Sequence, residues 1–532
     1  MRTEPTLRLI VVGSNLFSHT HTQGIVAIVM RVQNRMMLFN LRVILVSLFI
    51  LNSGLGFSTS WAFSFESEVS QSPLSLVKKD LRAQFVALAE KNKLRASEVS
   101  FSLIVPGYGT VSHRSEESRT PASTMKLLVA AAAMDLLGPD HNFVTRLLGS
   151  GDIREGVLFG NLIVEGRGDP AVCGREKSGD PLWELRSWVA SLRHLGISSI
   201  DGKILADDRY LAGSGIHPDW PTNELARWYY APSGSLNLND NCLDVQIGPV
   251  VNGKVAVSIL PSQPLAQLSN KLKICVDPKK HLYHIARPGS SWSISVSGRF
   301  LATAGARTEY VSVPDPAENF STIFTQLLQD SGIKVLGNDY PISADLTPSE
   351  DLMHIDEVNH SLASRLPVML KNSQNLYAES MFRVLGRESG GTGDHASSQI
   401  ILQNWVAENI PGEFAVVCRD GSGLSKKNRL TTDFLVKLLG WVDQQPWSEV
   451  FFSALPVSGI DGTLEKRMTA KSLRGKVYAK TGTLKNASGL AGYLKADQQD
   501  ESVVFAFLYD GRPGIVYRAR KWQDACLSLI QK

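Results

Sequence analysis

The stretch "RTPASTMKLLVAAAAMDLLGPD", residues 119–140, decides how the rest of the chain is read. It reads as a helix whose first turn carries Ser123 and Lys126 at i and i+3, so that both side chains share one face. Lys126 is followed by Leu127, Leu128, Val129 and four alanines, with no polar face for two turns, and Gly138 and Pro139 stop the helix. A helix of that composition is core. Only its start is equipped for chemistry, with a hydroxyl nucleophile and a potential base side by side.

Around this helix the chain has the texture of a large globular protein. Its 532 residues exceed one ordinary domain, and two to four are expected. The composition is 43% hydrophobic and 20% charged, and a formal charge of +4 spread over this length is weak. There is no basic stripe interleaved with aromatics, so nucleic acid is not an expected partner. No internal repeat and no low-complexity tract is present.

The leader is more specific. Arg42 precedes "VILVSLFIL" (43–51) and then small residues ending in "TSWA", with Ser60 and Ala62 forming a small-x-small site and Phe63 the expected mature start. The apolar run is short for a bilayer span, so a cleaved export signal is expected, with no transmembrane anchor after its removal. Such a signal lies at the extreme terminus, which makes Met36 or Met37 an alternative start. The five cysteines, Cys173, Cys242, Cys275, Cys418 and Cys526, fall in the exported part, where disulfides are chemically allowed. Cys275 with His281 and His284 is a metal-like cluster without a fourth ligand, and these residues read as surface positions. No metal and no cofactor is expected.

Along the chain, "LSLVKKDLRAQFVALAEKNKL" has helical periodicity, and "SEVSFSLIVP" with "GTVSHR" reads as a hairpin through Gly107 and Gly109. From about residue 150 to 345, short alternating segments separated by Gly, Pro, Asp and Asn read as strands with few long helices. Helical texture returns in "SLASRLPVMLKNSQNLYAESMFRVLG" and "TDFLVKLLGWVDQ". The end holds three strand candidates, "GKVYAKTGTL", "ASGLAGYLKA" and "ESVVFAFLYD", expected to form an antiparallel meander before a terminal helix in "IVYRARKWQDACLSLIQK".

Three short patterns, S-x-x-K, S-x-N and K-[ST]-G, mark active-site serine enzymes that recognise penicillin. Each also occurs as a decoy: S-x-x-K at Ser75, Ser123 and Ser331, S-x-N at Ser235 and Ser373, and K-[ST]-G at Lys177 and Lys480. Context sorts them. Ser123 heads an apolar helix, whereas Ser75 precedes a polar segment and Gly332 interrupts any helix at Ser331. Ser373 joins two helical runs, whereas Ser235 lies among turn formers. Lys480 sits in "KVYAKTGTL", suited to a strand, whereas Lys177 sits in a turn-rich loop. G-x-S-x-G and H-E-x-x-H are absent, which removes lipase-type and zincin readings.

The segments "PASTMKLL", "LKNSQNLYAE", "DGSGLSKKNRLT", "LPVSGIDGTLEKRM" and "AKTGTLKNASGLAGYL" together resemble the D-alanyl-D-alanine carboxypeptidase/endopeptidase family, the class C low-molecular-weight penicillin-binding proteins. "GRGDP", "WYYAPSGSLNLNDN" and "SRLPVMLKNS" extend the resemblance over nearly all of residues 70–530. It implies an α+β multidomain fold: a penicillin-recognising domain, with an antiparallel sheet flanked by helices, split by a long strand-rich insertion. Ser123 and Ser373 are 250 positions apart, which fits such an insertion. The expected division is a leader over 1–62, a first catalytic part over 63–150, an inserted region of two subdomains over 151–345, and a second catalytic part over 346–532.

The resemblance also implies roles. Ser123 is the expected nucleophile and Lys126 its base, with a pKa lowered by burial and by the like charge of Lys480. The N–H groups of Ser123 and Thr483 are expected to hold the oxyanion. Ser373 would relay a proton to the departing amine, and Asn375 would hold the substrate backbone. Lys480 and Thr481 would meet the terminal carboxylate of a D-Ala-D-Ala stem, and Gly482 would let the substrate lie against the strand. Glu224, Tyr229, Lys426 and Lys485 resemble positions lining the substrate side-chain pocket. Asp420, Gly421, Ser422 and Gly423 read either as a tight turn or as a catalytic-side loop.

The expected partners are therefore peptidoglycan stem peptides, with β-lactams as covalent inhibitors and the periplasm as the place of action. A β-lactamase would need a deacylating base, and no glutamate can be assigned to that role. A binding module without activity would not need Lys126 beside Ser123.

Overall fold

The computed structural model describes residues 80–174, 180–337, 352–495 and 501–531. The export signal, the alternative starts, Ser75 and Lys177 lie outside the described residues.

The part that positions the site is a five-stranded antiparallel sheet. Its order is Val477–Thr483, Ala487–Leu494, Val503–Asp510, Val99–Val105 and Gly109–His113, so both ends of the chain build one sheet. The expected hairpin and the expected meander are thus joined through the pairing of Val99–Val105 with Val503–Asp510. The sheet has an apolar layer on each face, and strand periodicity divides it. Along one strand Phe505, Phe507 and Tyr509 pack with Trp522 of the terminal helix Val516–Ile530 and Phe85 of the helix Leu81–Lys91. Their neighbours Val504, Ala506 and Leu508 join the core that contains the helix after Ser123. Ala487–Leu494 is buried at all eight positions, which is why its sequence reads as a continuous apolar run.

The helix that follows Ser123 runs over Met125–Leu136, with Met125 to Met134 all buried, after a 3-10 turn at Ala122–Thr124. It packs among the helices Leu362–Lys371, Asn375–Glu388, His395–Asn409 and Thr432–Val442. Gly138 at φ +83° turns the chain away after the helix, as its composition indicates.

From there the chain leaves through Asn142–Ser150 and returns through Leu352–Ser361, and these two strands pair antiparallel from Asn142↔Ser361 to Ser150↔Leu352. Departure and return thus lie side by side, the geometry that lets a long segment interrupt a domain without disturbing its core. The two belong to one four-stranded sheet, and between them in sequence lie a second four-stranded and two three-stranded sheets. These sheets include parallel pairs, Gln267–Cys275 with Ser293–Leu301 and Leu162–Gly166 with Ile204–Asp207. Two helices, Trp183–His194 and Pro316–Asp330, supply Leu185, Trp188, Phe320 and Phe324 to a separate apolar core. All five cysteines are buried, Cys275 among them, because it ends a strand paired in register with Leu301 rather than standing at the surface.

Candidate active site

Ser123 sits where three elements meet. Ala122, immediately before it, holds φ +50°, a conformation that costs an L-residue about 1 kcal/mol and commonly marks a functional turn. Two glycines allow the close packing around this turn. A Cβ on Gly423, whose φ is +86°, would lie 2.0 Å from the Ala122 carbonyl oxygen. A Cβ on Gly482 would lie 2.7 Å from the Pro121 carbonyl oxygen and 3.1 Å from the Ser123 nitrogen. The room that Gly482 makes is therefore filled by the serine turn behind the strand. Ser123 itself is half-exposed between buried neighbours.

Lys126 is fully buried, and its Nζ has three partners: Ser123 Oγ at 3.1 Å, Asn375 Oδ1 at 2.7 Å and the Ser422 carbonyl oxygen at 2.6 Å. The Asn375 amide is oriented by its other end, where Nδ2 donates to the Tyr229 carbonyl at 2.8 Å, so Oδ1 must face the lysine. A neutral amine has two N–H donors and one lone pair. Two acceptors that cannot donate, and one hydroxyl that can, are the complement of that form. Burial brings the Lys126 pKa down to about 7, against the opposing pull of the Glu379 and Asp420 carboxylates.

Those carboxylates lie beneath the loop that presents Ser422. Glu379, fully buried one turn after Asn375, accepts from the Ser422 N–H at 2.7 Å and the Gly421 N–H at 3.3 Å, and its Oε2 lies 3.2 Å from His395 Nε2. Burial pushes its carboxyl upward, but the hydrogen bonds from His395 and Ser422 outweigh that and keep it ionised. Asp420 accepts from the Gly423 and Ser425 N–H groups, from Asn428 Nδ2 and from Trp220 Nε1, at 2.6 to 2.9 Å. Burial, followed by the charge of Glu379, raises its pKa. The Asp420–Gly423 segment thus lies against Lys126, with the Ser422 carbonyl accepting from its amine. Glu379 belongs to none of the three motifs, although a glutamate among the apolar positions of the helix Asn375–Glu388 signals a buried partner.

Ser373 stands at φ +58° between the helices Leu362–Lys371 and Asn375–Glu388, in the linking position its sequence context indicated. Its Oγ receives a hydrogen bond from Lys480 Nζ at 2.9 Å. Lys480 lies on the edge strand, is fully buried, and also donates to the Thr481 carbonyl at 2.9 Å. Burial and the neighbouring Lys126 push its pKa well below the usual lysine value. Thr481 Oγ1 bonds Thr463 Oγ1 at 2.8 Å, and exposed Thr483 accepts from Arg520 Nη2 at 2.9 Å. Ser123, Lys126, Asn375 and Ser422 therefore form one short hydrogen-bonded cluster, and Ser373 with Lys480 a second.

The softer candidates are placed unevenly. Tyr229 is tied to the site through its carbonyl on Asn375, and its hydroxyl donates to Glu224 at 3.4 Å. Lys426 and Lys485 stand exposed on the loops that follow Ser422 and Thr483. The decoy Ser235 is buried, with its Oγ accepting from the Leu211 N–H at 2.9 Å and donating to the Asp208 carbonyl at 2.5 Å. Ser331 follows the end of the helix Pro316–Asp330 as its C-cap.

The profile of the D-Ala-D-Ala carboxypeptidase 3 (S13) family matches residues 82–527. A D-alanyl-D-alanine carboxypeptidase of Actinomadura sp. (strain R39) is 29% identical over 413 residues, covering 75% of this chain and 74% of that protein. Penicillin binding protein 4 (dacB) from Haemophilus influenzae has a crystal structure similar to this one, with a TM-score of 0.69 and 22% identity over 82% of this chain and 97% of that one. Its complex with a novel β-lactam gives a TM-score of 0.67 and 21% identity, over 84% and 99% of the two chains. The fold is accordingly the α+β, multidomain architecture of these penicillin-binding proteins. This chain belongs to the D-Ala-D-Ala carboxypeptidase 3 (S13) family and is a serine-type hydrolase.

Proposed function

We propose that this protein is an exported serine peptidase that cleaves the D-Ala-D-Ala ends, and the cross-links, of peptidoglycan stem peptides through an acyl-enzyme on Ser123. The observation that carries the reading is the partner set of Lys126: two obligate acceptors and the Ser123 hydroxyl, around an amine whose pKa burial holds at about 7. A serine hydroxyl is a poor nucleophile without such a base.

In the proposed cycle Lys126 takes the Ser123 proton as Oγ adds to the carbonyl carbon of the penultimate D-Ala. The N–H groups of Ser123 and Thr483 stabilise the oxyanion. Ser373, hydrogen-bonded to Lys480, relays the proton taken up by Lys126 to the departing amine as the C–N bond breaks. Water then adds to the ester, giving its proton back through Lys126, and Ser123 is regenerated. Asn375 retains one Nδ2 proton for the substrate backbone, and Tyr229 with Glu224 forms one wall for the stem side chain. A β-lactam would acylate the same oxygen, as the β-lactam complex of the Haemophilus influenzae relative suggests by analogy. Export rests on the leader sequence; among the described residues no helix is long and apolar enough to cross a membrane.

Labelled penicillin followed by peptide mass mapping, in parallel with D-Ala release from a stem pentapeptide, tests the proposal. A long-lived adduct on Ser123 with turnover of the pentapeptide is expected. Rapid loss of the adduct would mean a β-lactamase, and an adduct without turnover would mean a binding module.

A further inference from the structure

Glu379 is a fully buried carboxylate, and it carries the loop that completes the surroundings of Lys126. From Ser123 Oγ the contacts run to Lys126 Nζ at 3.1 Å, on to the Ser422 carbonyl at 2.6 Å, and from the N–H of Ser422 to Glu379 Oε1 at 2.7 Å. The next group along is His395, whose Nε2 lies 3.2 Å from Glu379 Oε2. It opens the helix His395–Asn409 and belongs to none of the three motifs. An ionised carboxylate can only accept, so Nε2 carries a hydrogen and donates it.

The His395 ring packs against two others, nearly perpendicular to His217 with centroids 4.9 Å apart, and 6.3 Å from Phe382. His217 accepts the Asp219 N–H on Nδ1 at 3.1 Å, and burial, followed by the charge of His395, lowers its pKa to about 4, so it is neutral near pH 7. The other charged groups around the pair have their own partners. Asp219 is held by Lys427 Nζ at 2.5 Å and Arg419 Nε at 3.5 Å. Arg383, one turn after Glu379, donates to the Gly393, Ala212 and Ser233 carbonyls. Asp394 caps the helix of His395 by accepting the Ser397 N–H at 2.7 Å, and Asp420 is taken up by its loop and by Trp220. Of these groups, His395 alone is hydrogen-bonded to Glu379.

We propose that His395 is a positioning residue for the acylation of Ser123: its N–H holds Glu379 and offsets part of that carboxylate's charge, and Glu379 in turn fixes the Ser422 carbonyl on Lys126. The inference rests on the peptidase reading above and extends it to a residue four contacts away from Ser123. Without that N–H, Glu379 keeps the Ser422 and Gly421 N–H donors and stays ionised, but more of its charge reaches Lys126 and favours the ammonium form. The base then needs a higher pH to act.

The test is the pH dependence of acylation by a fluorescent penicillin, on the wild-type protein, on His395→Phe, which keeps a ring without a donor, and on His395→Gln, whose amide N–H falls near the Nε2 position. His395→Phe should move the rise in rate upward by about half a pH unit, and His395→Gln should return most of that displacement. In a Glu379→Gln background His395→Phe should add no further displacement, because the charge it uncovers is gone. Should His395→Phe fail to fold, His395→Met, which also lacks the donor, takes its place. A rate lowered at every pH with the midpoint unmoved, a glutamine variant no better than phenylalanine, or the same displacement in the Glu379→Gln background overturns the inference and leaves the peptidase reading intact. A wild-type protein that forms no adduct on Ser123 overturns the peptidase reading itself, and this inference with it.

Discussion

Replacing Glu379 by glutamine removes one negative charge beneath Lys126 while keeping the shape and one acceptor. The carboxylate reaches Lys126 through a single residue: Glu379 Oε1 takes the Ser422 N–H, and the Ser422 carbonyl takes the Lys126 proton. That path spans roughly 7 Å, and at an effective dielectric of about 20 two unit charges at this distance interact by about 2 kcal/mol, or about 1.5 pKa units. The charge favours the protonated amine, so its loss lowers the Lys126 pKa further below its present value of about 7. Asp420, whose pKa is raised by burial and then by Glu379, ionises more readily once Glu379 is neutral and returns part of the effect. The net expectation is a displacement of about one unit. Because the base acts when neutral, the rate of acylation by a fluorescent penicillin rises with pH through the Lys126 pKa. In Glu379→Gln that rise should move from near pH 7 to about one unit lower, with the alkaline plateau reduced several-fold because the glutamine amide confronts the Gly421 N–H. A rise that stays near pH 7 while the plateau collapses would refute the electrostatic reasoning and leave Glu379 as a strut for the loop. A shift to higher pH would refute its sign.

Two further outcomes follow from named contacts. Gly482→Ala places a Cβ against the Pro121 carbonyl and the Ser123 and Thr124 nitrogens, all backbone atoms that cannot swing aside, so the serine turn must shift by tenths of an ångström. Acylation should fall more than about 10-fold with a stability loss of about 1–3 kcal/mol, measured by stopped-flow labelling and thermal melting; wild-type acylation would contradict the packing argument. His360 lies with Nδ1 2.8 Å from Asp169 and Nε2 3.1 Å from Glu184. Burial alone would lower its pKa, but the hydrogen bonds to these two acids raise it to about 9. The folded protein therefore holds the proton more tightly than the unfolded chain, and the stabilisation, complete below about pH 6.5, fades as pH rises through about 9. The melting temperature of the wild type should exceed that of His360→Gln at pH 6 and approach it above pH 9; a gap that does not narrow would contradict this assignment.

The catalytic core was legible because its signals are local. An alanine-rich run, a Gly-Pro stop and period-2 alternation each follow from backbone geometry over fewer than about fifteen residues. The same logic could have found the helix Pro316–Asp330, where Asp315 caps by accepting from the Glu318 N–H and Pro316 opens the first turn. Its signal is masked because the surrounding residues alternate like strands and only its caps stand out from that texture. The parallel pairing of Gln267–Cys275 with Ser293–Leu301 is of another kind: nothing in either strand states its partner's direction. Within the site, Ser123, Lys126, Ser373 and Lys480 announce themselves by spacing. Glu379 does not, since its contacts are made with a loop distant in sequence.

That last point bears on what the strand-rich segment does for the chemistry. Asn375 can present its oxygen to Lys126 only if its amide does not turn over, and the group that prevents this is the Tyr229 carbonyl, which lies between the departing and returning strands. From the same segment Trp220 donates to Asp420, which holds the loop bearing the Ser422 carbonyl, and Asp240 accepts from Gln374 beside Asn375. Both acceptors that complete the surroundings of Lys126 are thus supported from outside the sheet and helices that carry the motifs. If the Tyr229 contact were lost, either end of the Asn375 amide could face the amine, and an Nδ2 group there would compete with Ser123 for the lone pair. In the proposed mechanism the base would then be blocked without any motif residue being altered, and the segment would act on the reaction by fixing which way one amide points.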